Sequence, residues 1–247
     1  MENQFTLPTE TVELPSKGLL YPEGNPLSSG DIEIKYMSAK EEDILTNSSY
    51  IQDGTVLDKL FKSLIVTPIN YNDLLIGDKN AIMIAARILG YGKDYEFEYQ
   101  GESQVVDLTT IKDEEMHEDF KKGENSFEFT LPKTNVNLTF KLLTHGDEQK
   151  IAKELKGLKK IHKKSSPELT TRLKHIITSV NGDAEPKTIR DFVDNGLLAV
   201  DARELRKYYG AVSPDVNMVF EFVDSKGEEK EASLPVGVSF FWPDANF

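Results

Sequence analysis

The residues best suited to proton transfer or metal binding near neutral pH are four histidines, His117, His145, His162 and His175. No two of them stand four apart on a helical face, and no His-Glu-x-x-His occurs, so the spacing that holds zinc is missing. His162 and His175 lie among lysines, which disfavour a further cation. The histidines are expected on the surface. The chain has no cysteine, which excludes a thiol nucleophile, a disulfide framework and a zinc site with cysteine ligands. Asp and Glu number 42 against 29 Lys and Arg, so a pair of carboxylates specifies little. KEED at 40–43 reads as the acidic first turn of a helix, where negative charge meets the positive end of the dipole. KDEEMHED at 112–119 reads as a solvated loop or helix face. No Gly-x-Gly-x-x-Gly, Walker loop or Gly-x-Ser-x-Gly elbow is present. GYGKDYEF has glycines and a lysine without a strand before them, and Gly90 and Gly92 fit a helix end. The residues offer no catalytic, cofactor-binding or metal-binding set, and a non-enzymatic role is expected.

Two features point to partners instead. Lys150, Lys153, Lys156, Lys159, Lys160, Lys163, Lys164, Arg172 and Lys174 form a basic run, opposed within it only by Glu154 and Glu168. It reads as a solvated helix face, as a strip that docks an acidic protein surface, or as a nucleic-acid patch; the patch would lack stacking aromatics. The second feature is the ending SFFWPDANF, with Phe240, Phe241, the single tryptophan Trp242, and Phe247. These rings either fill the chain's own core or anchor in a partner's pocket, where aromatics concentrate binding energy. The candidate partner-binding residues are therefore Phe240, Phe241, Trp242, Phe247, Lys156, Lys159, Lys160 and Lys163.

The 247 residues carry a formal net charge of −13. Nucleic-acid backbones and anionic membranes repel such a chain. MENQFTLPTETVELP lacks the basic and apolar regions of a signal peptide, and no apolar run approaches the roughly 20 residues of a membrane helix. A soluble protein of the cytoplasm is expected.

The elements that must carry these residues follow from pattern. Residues 1–30, rich in Pro, Gly, Ser and Thr, read as an extended arm with at most one short strand. DIEIKYM alternates as a strand. Ser38 with Glu41 makes a capping box for a helix over AKEEDILTN. GTVLDKLFKSLI is a helix with Val56, Leu57, Leu60, Phe61 and Leu64 on one face. NYNDLLIG is a loop or single turn. Asp78 is expected to cap KNAIMIAARILGYG, and YEFEYQGESQVVDL is a hairpin. The order then recurs: strands in FEFTLPKTNVNLTFKLL, a helix opened by Asp147, a helix over SPELTTRLKHIITSV, a helix over ARELRKYYG capped by Asp201, and a hairpin over VNMVFEFVDSKGEEKEASL. LPSKG is echoed by LPKTN, Leu74-Leu75 by Leu197-Leu198, Tyr91-Gly92 by Tyr209-Gly210, and FEY by FEF. One module used twice, over about 12–125 and 126–247, accounts for an agreement that spans five successive elements. The expected fold is α+β: an extended N-terminal arm at 1–30, a first module of strand, helices and β-hairpin at 31–125, and a second at 126–247 ending in the aromatic segment.

IEIKYMSAKEEDILTN, followed by LLIGDKNAIMIAARILGYG, a hairpin and a late FFWP, resembles the baseplate hub and hub-assembly proteins of T4-like contractile-tailed phages. The resemblance spans about Leu14 to Pro243. Some relatives carry Cys-x-x-Cys knuckles in the hairpins; here Tyr99-Gln100-Gly101-Glu102 and Asp224-Ser225-Lys226-Gly227 stand in those places, so no structural zinc is implied. The resemblance implies a virion tail structural protein, either a baseplate hub subunit or a factor in tail assembly. Its partners would be other tail and baseplate proteins, bound by protein-protein interaction in the host cytoplasm or retained in the virion. A related reading is a chaperone of the tape-measure protein, and a more distant one a nucleic-acid adaptor using the Lys150–Lys174 strip.

Overall fold

The computed structural model describes residues 7–118, 120–161, 167–223, 227–236 and 238–241. The chain is α+β, with small antiparallel sheets separated by helices. β1 (Thr9–Glu13) pairs antiparallel with β2 (Asp31–Lys35). The expected arm is therefore built into the fold: Leu14, Leu20, Tyr21 and Leu27 are buried in the core. Its prolines and glycines shape a tight path, with Gly18 at φ +72 where a Cβ would strike the backbone of Ser28 and Gly30. α1 (Ala39–Leu45) starts at the expected capping box: the Glu41 carboxylate accepts from the Ser38 N–H at 2.9 Å and from its hydroxyl at 2.6 Å. α2 (Ser48–Gln52), a single turn capped by Asn47, was not expected. α3 (Val56–Leu64) buries Val56, Leu60, Phe61 and Leu64 on the expected face. A 3-10 turn at Tyr71–Asp73 leads into α4 (Ile76–Tyr91), which ends at Gly92 with φ +84. β3 (Asp94–Tyr99) and β4 (Glu102–Asp107) form the expected hairpin.

The second half opens with β5 (Phe127–Thr130) and β6 (Asn137–Phe140). α5 (His145–Ile161) begins two residues before Asp147, because Thr144 and Asp147 exchange hydrogen bonds across the first turn. α6 (Glu168–Ile176) is shorter than its apolar pattern suggests. ITSV, expected as helix, is β7 (Ile177–Val180) and joins β6 as the third strand of its sheet. Two β-branched residues close to the Phe140 edge favour pairing over another helical turn. α7 (Pro186–Asp191) runs into a π turn at Phe192–Gly196. α8 (Ala199–Val212), β8 (Val219–Val223) and β9 (Glu229–Ser233) complete the order, followed by a 3-10 turn at Val238–Phe241.

The two aspartates expected as caps do something else. Asp78 and Asp201 are the third residues of α4 and α8 and are fully buried. Asp78 turns away from its helix and accepts from the Ser16 N–H, the Ser16 hydroxyl and the Tyr21 hydroxyl, at 2.9, 2.7 and 2.6 Å. Asp201 accepts from the N–H groups of Lys133 and Thr134 and from the Thr134 hydroxyl, at 2.8, 3.1 and 2.8 Å. Each carboxylate thus pins a Leu-Pro turn to a helix start. An ion pair also has a counterpart: Lys35 meets Glu41 at 2.8 Å, and Lys141 meets Asp147 at 2.6 Å.

The halves share one core. The His145 N–H donates to the Leu74 carbonyl at 2.7 Å, the Glu114 N–H to that of Asp215 at 2.8 Å, and the Asn217 N–H to that of Lys112 at 2.8 Å. At Gly77 the backbones meet so closely that a Cβ would overlap the Pro214 carbonyl. The β3–β4 and β8–β9 hairpins pack through aromatics: Phe97 and Tyr99 meet Phe220 edge-on at 4.9 and 5.3 Å, and Tyr99 meets Phe222 at 5.0 Å.

Candidate functional site

Phe240 and Phe241 are fully buried. Phe240 packs edge-on to Tyr95 at 4.8 Å, and Phe241 lies 6.2 Å from Phe61. The Phe240 carbonyl accepts from Arg87 Nε at 2.8 Å; the same buried guanidinium reaches the carbonyls of Gly92 and Asp94. Of the two readings of the aromatic ending, core filling holds for these two rings, which keep no surface for a partner. Trp242 and Phe247 lie outside the described residues, as does Lys163.

The basic run is divided by its ion pairs. Lys150 reaches Asp147 at 3.3 Å, Arg172 binds Glu148 at 2.5 Å, and Lys174 binds Asp194 at 2.7 Å. Lys153, Lys156, Lys159 and Lys160 remain exposed on α5, and among the described residues none has an ion pair. A helical period of 3.6 residues sets Lys153, Lys156 and Lys160 in a row, with Lys159 beside it.

Next to this helix the halves enclose a groove of about 480 Å³. Its walls are apolar, with Leu75, Leu142, Leu173, Ile176 and Leu205, and exposed Leu169 at its rim. Arg172 and Arg206 line it together with Glu114, Glu148 and Asp215. The arrangement can hold an apolar side chain or short segment flanked by charges.

A polar cluster forms at the same junction, around His145. His145, expected on the surface, is only 3% exposed. Its Nε2 lies 3.5 Å from Asp58 and 2.8 Å from the Gln149 amide nitrogen, and its Nδ1 lies 3.4 Å from Lys79 Nζ. Tyr71 stacks edge-on to its ring at 4.6 Å and donates to Asp58 at 3.1 Å. Burial pushes the His145 pKa below its ordinary value despite the pull of Asp58. The ring, in contact with four groups, ties α3, α4 and α5 together; sequence spacing hides it because three of the four, Asp58, Tyr71 and Lys79, come from the other half. His175 pairs with Glu154 at 2.9 Å and His117 is exposed. Among the described residues no three His, Cys, Asp or Glu gather as a metal site, and no helix is long and apolar enough to cross a membrane.

No family model matches the chain, and neither a curated protein nor a solved structure matches it.

Proposed function

We propose that this chain is a non-enzymatic component of a contractile phage tail, a baseplate hub subunit or a factor that assembles the hub, working through protein contacts. The observation that carries this is the row Lys153, Lys156, Lys159 and Lys160, without an ion pair among the described residues of a chain of net charge −13, beside a charged-rim apolar groove. An isolated acidic protein gains stability by neutralising its own cations, whereas a cation row left open beside apolar surface suits a complementary partner. The resemblance to hub proteins supplies the setting. Its KEED motif opens α1, its LGYG ends α4, and its two phenylalanines close the core.

The reading includes an internal duplication. Supporting it are the paired Leu-Pro turns pinned by Asp78 and Asp201, and the paired lysine bridges to Glu41 and Asp147. The strand pairings agree as well: Ile65 after α3 bridges Ile34, and Ile177 after α6 pairs with Phe140. Residues so far apart in sequence repeat these contacts in order, which a chance likeness of helix ends does not require.

Quantitative mass spectrometry of purified virions beside an infected-cell lysate tests the role. A fixed copy number in virions identifies a baseplate subunit. Abundance in lysate, absence from virions and co-purification with a tail intermediate identify an assembly factor, and the tape-measure protein in that complex a chaperone. Absence from virions together with no tail protein on the affinity-purified chain overturns the proposal.

A further inference from the structure

We propose that His145 is a pH-sensitive latch between the two halves, closed while its ring is neutral and released when Nδ1 takes up a proton from solvent. The inference goes beyond the tail reading and does not depend on it.

The geometry decides which nitrogen carries the ring proton. Lys79 Nζ, 3.4 Å from Nδ1, has protons to donate and no lone pair to accept one. Nδ1 therefore accepts, and the ring proton sits on Nε2. The Gln149 amide nitrogen stands 2.8 Å from Nε2, where two donors would oppose each other. A half-turn of that amide brings its oxygen there instead.

A second proton, added at Nδ1, points at the Lys79 ammonium. The groups around the ring offer it little else. α3 supplies Asp58 and Lys62, the following 3-10 turn Tyr71, α4 Lys79, and α5 Glu148 and Gln149. Asp58 is already engaged by Lys79 at 2.7 Å and by the Tyr71 hydroxyl at 3.1 Å. Glu148 is taken by Arg172. Burial opposes a new cation most, Lys79 and Lys62 add to it, and the ring titrates below its ordinary 6.5. The side chains of Lys79 and Asp58 are 22% and 21% exposed, so water reaches the cluster and brings the proton.

The place of the ring extends this titration to the junction. His145 opens α5, and its own N–H donates to the Leu74 carbonyl at 2.7 Å. Thr144 bridges Leu75, and Gly146 lies so near Asn72 that a Cβ would stand 3.0 Å from the Asn72 carbonyl oxygen. Leu75 also lines the groove, together with Leu142 and Leu143. A charged ring that swings out to water takes the side-chain anchor from the start of α5 and loosens this wall. The closed latch binds fewer protons than the open one, so closure weakens as pH falls through 6.5. With the open ring titrating at 6.5, opening gains at most about thirtyfold at pH 5.

Ring ¹⁵N shifts of the full chain between pH 8 and pH 5 test the latch, together with exchange of the His145 and Glu148 amides corrected for intrinsic rates. The Nε2–H tautomer is expected at pH 8, with a midpoint below 6.5 and opening that rises about three- to thirtyfold by pH 5. The Leu234 amide, bonded to the Met218 carbonyl, is expected to keep its protection. His145→Gln is expected to hold the seam as the wild type does at pH 8 and to lose the acid step. Lys79→Gln keeps a donor without its charge and is expected to move the midpoint up, whereas Asp58→Asn moves it down. If His145→Gln does not fold, the direction of the Lys79→Gln shift still decides. An Nδ1–H tautomer at pH 8, a midpoint at or above 6.5, or a ring that titrates with no change in seam exchange overturns the proposal. So does an acid step that survives in His145→Gln, or a Lys79→Gln midpoint that stays or falls.

Discussion

Glu41 sits with its carboxylate out of water at the start of α1. Burial works against its charge, but hydrogen bonds from Lys35, Ser38 and Ser63 outweigh it and hold the pKa at about 2. The unfolded chain titrates near the ordinary 4.5, so between these values it binds more protons than the native state. Stability from this group is present above about pH 4.5 and is lost as pH falls toward 2, up to about 3 kcal/mol in all. Glu41→Gln is expected to cost about 2–3 kcal/mol at pH 6 in urea unfolding, with the gap to wild type closing as pH approaches 2. A gap unchanged with pH would assign its role to shape rather than charge. The glycines give a second contrast. Gly77→Ala drives a methyl into the Pro214 carbonyl and is expected to cost about 3 kcal/mol or more, because backbone cannot swing aside. Gly157→Ala meets open space in the exposed interior of α5 and should stabilise by about 0.5–1 kcal/mol. Ser38-x-x-Glu41 was legible in the sequence because capping is local. Asp78 was misread as a cap, since its partners Ser16 and Tyr21 lie 62 and 57 residues away and no local pattern announces them. Nor did spacing reveal that His145 is buried.

Among elements, those with a long apolar period were the legible ones: α3 and both hairpins fall where their patterns place them, and α4 does so at its end while its start, at Ile76, comes before the expected Asp78 cap. ITSV was read as helix because Ile176 and Ile177 continue the helical face of α6; the free edge of β6 decides otherwise, and that edge is invisible until the sheet is built. The 1–30 segment was read as an arm because its prolines and glycines break every period, yet Leu14 and Leu27 are wholly buried. The turn at Val238–Phe241 is held by two kinds of contact, ring burial of Phe240 and the Arg87 fork on three carbonyls. Phe240→Ala is expected to cost about 3–5 kcal/mol through its cavity. Arg87→Met leaves those carbonyls without their charged donor and should cost about 2–4 kcal/mol. In both variants hydrogen exchange should quicken first in β3 and β4, which lean on Phe240 through Tyr95, before it does in the β5–β6–β7 sheet. Equal quickening everywhere would mean that the turn supports the whole core rather than the hairpin base.

At the scale of the molecule the order of elements in each half was readable, but not the junction between them. Helix and strand patterns report which face is buried and not what buries it. The junction is built from contacts with little sequence signature: the Gly77 approach to Pro214, Asn80 Nδ2 on the Asp215 carboxylate at 2.9 Å, and main-chain bonds from Glu114, His145 and Asn217. Such a seam couples the halves, because opening either one strands buried polar groups of the other. The chain should therefore unfold as one unit despite its repeated plan. Asp201→Asn separates this from the alternative. It replaces an acceptor of three hydrogen bonds by an amide that can supply only part of them, at a cost of about 1–3 kcal/mol. If the halves are one cooperative unit, calorimetry shows a single transition moved down, and the slowest amides of β3 and α4 lose the same free energy of exchange as those of β6. Asp78→Asn should move β6 and α8 in the mirror sense, and the double variant should add to within about 0.5 kcal/mol because the two carboxylates share no partner. Two transitions, or protection lost only in the half that carries the substitution, would show independent modules joined by a soft seam. The groove between them would then be a hinge rather than a fixed docking surface.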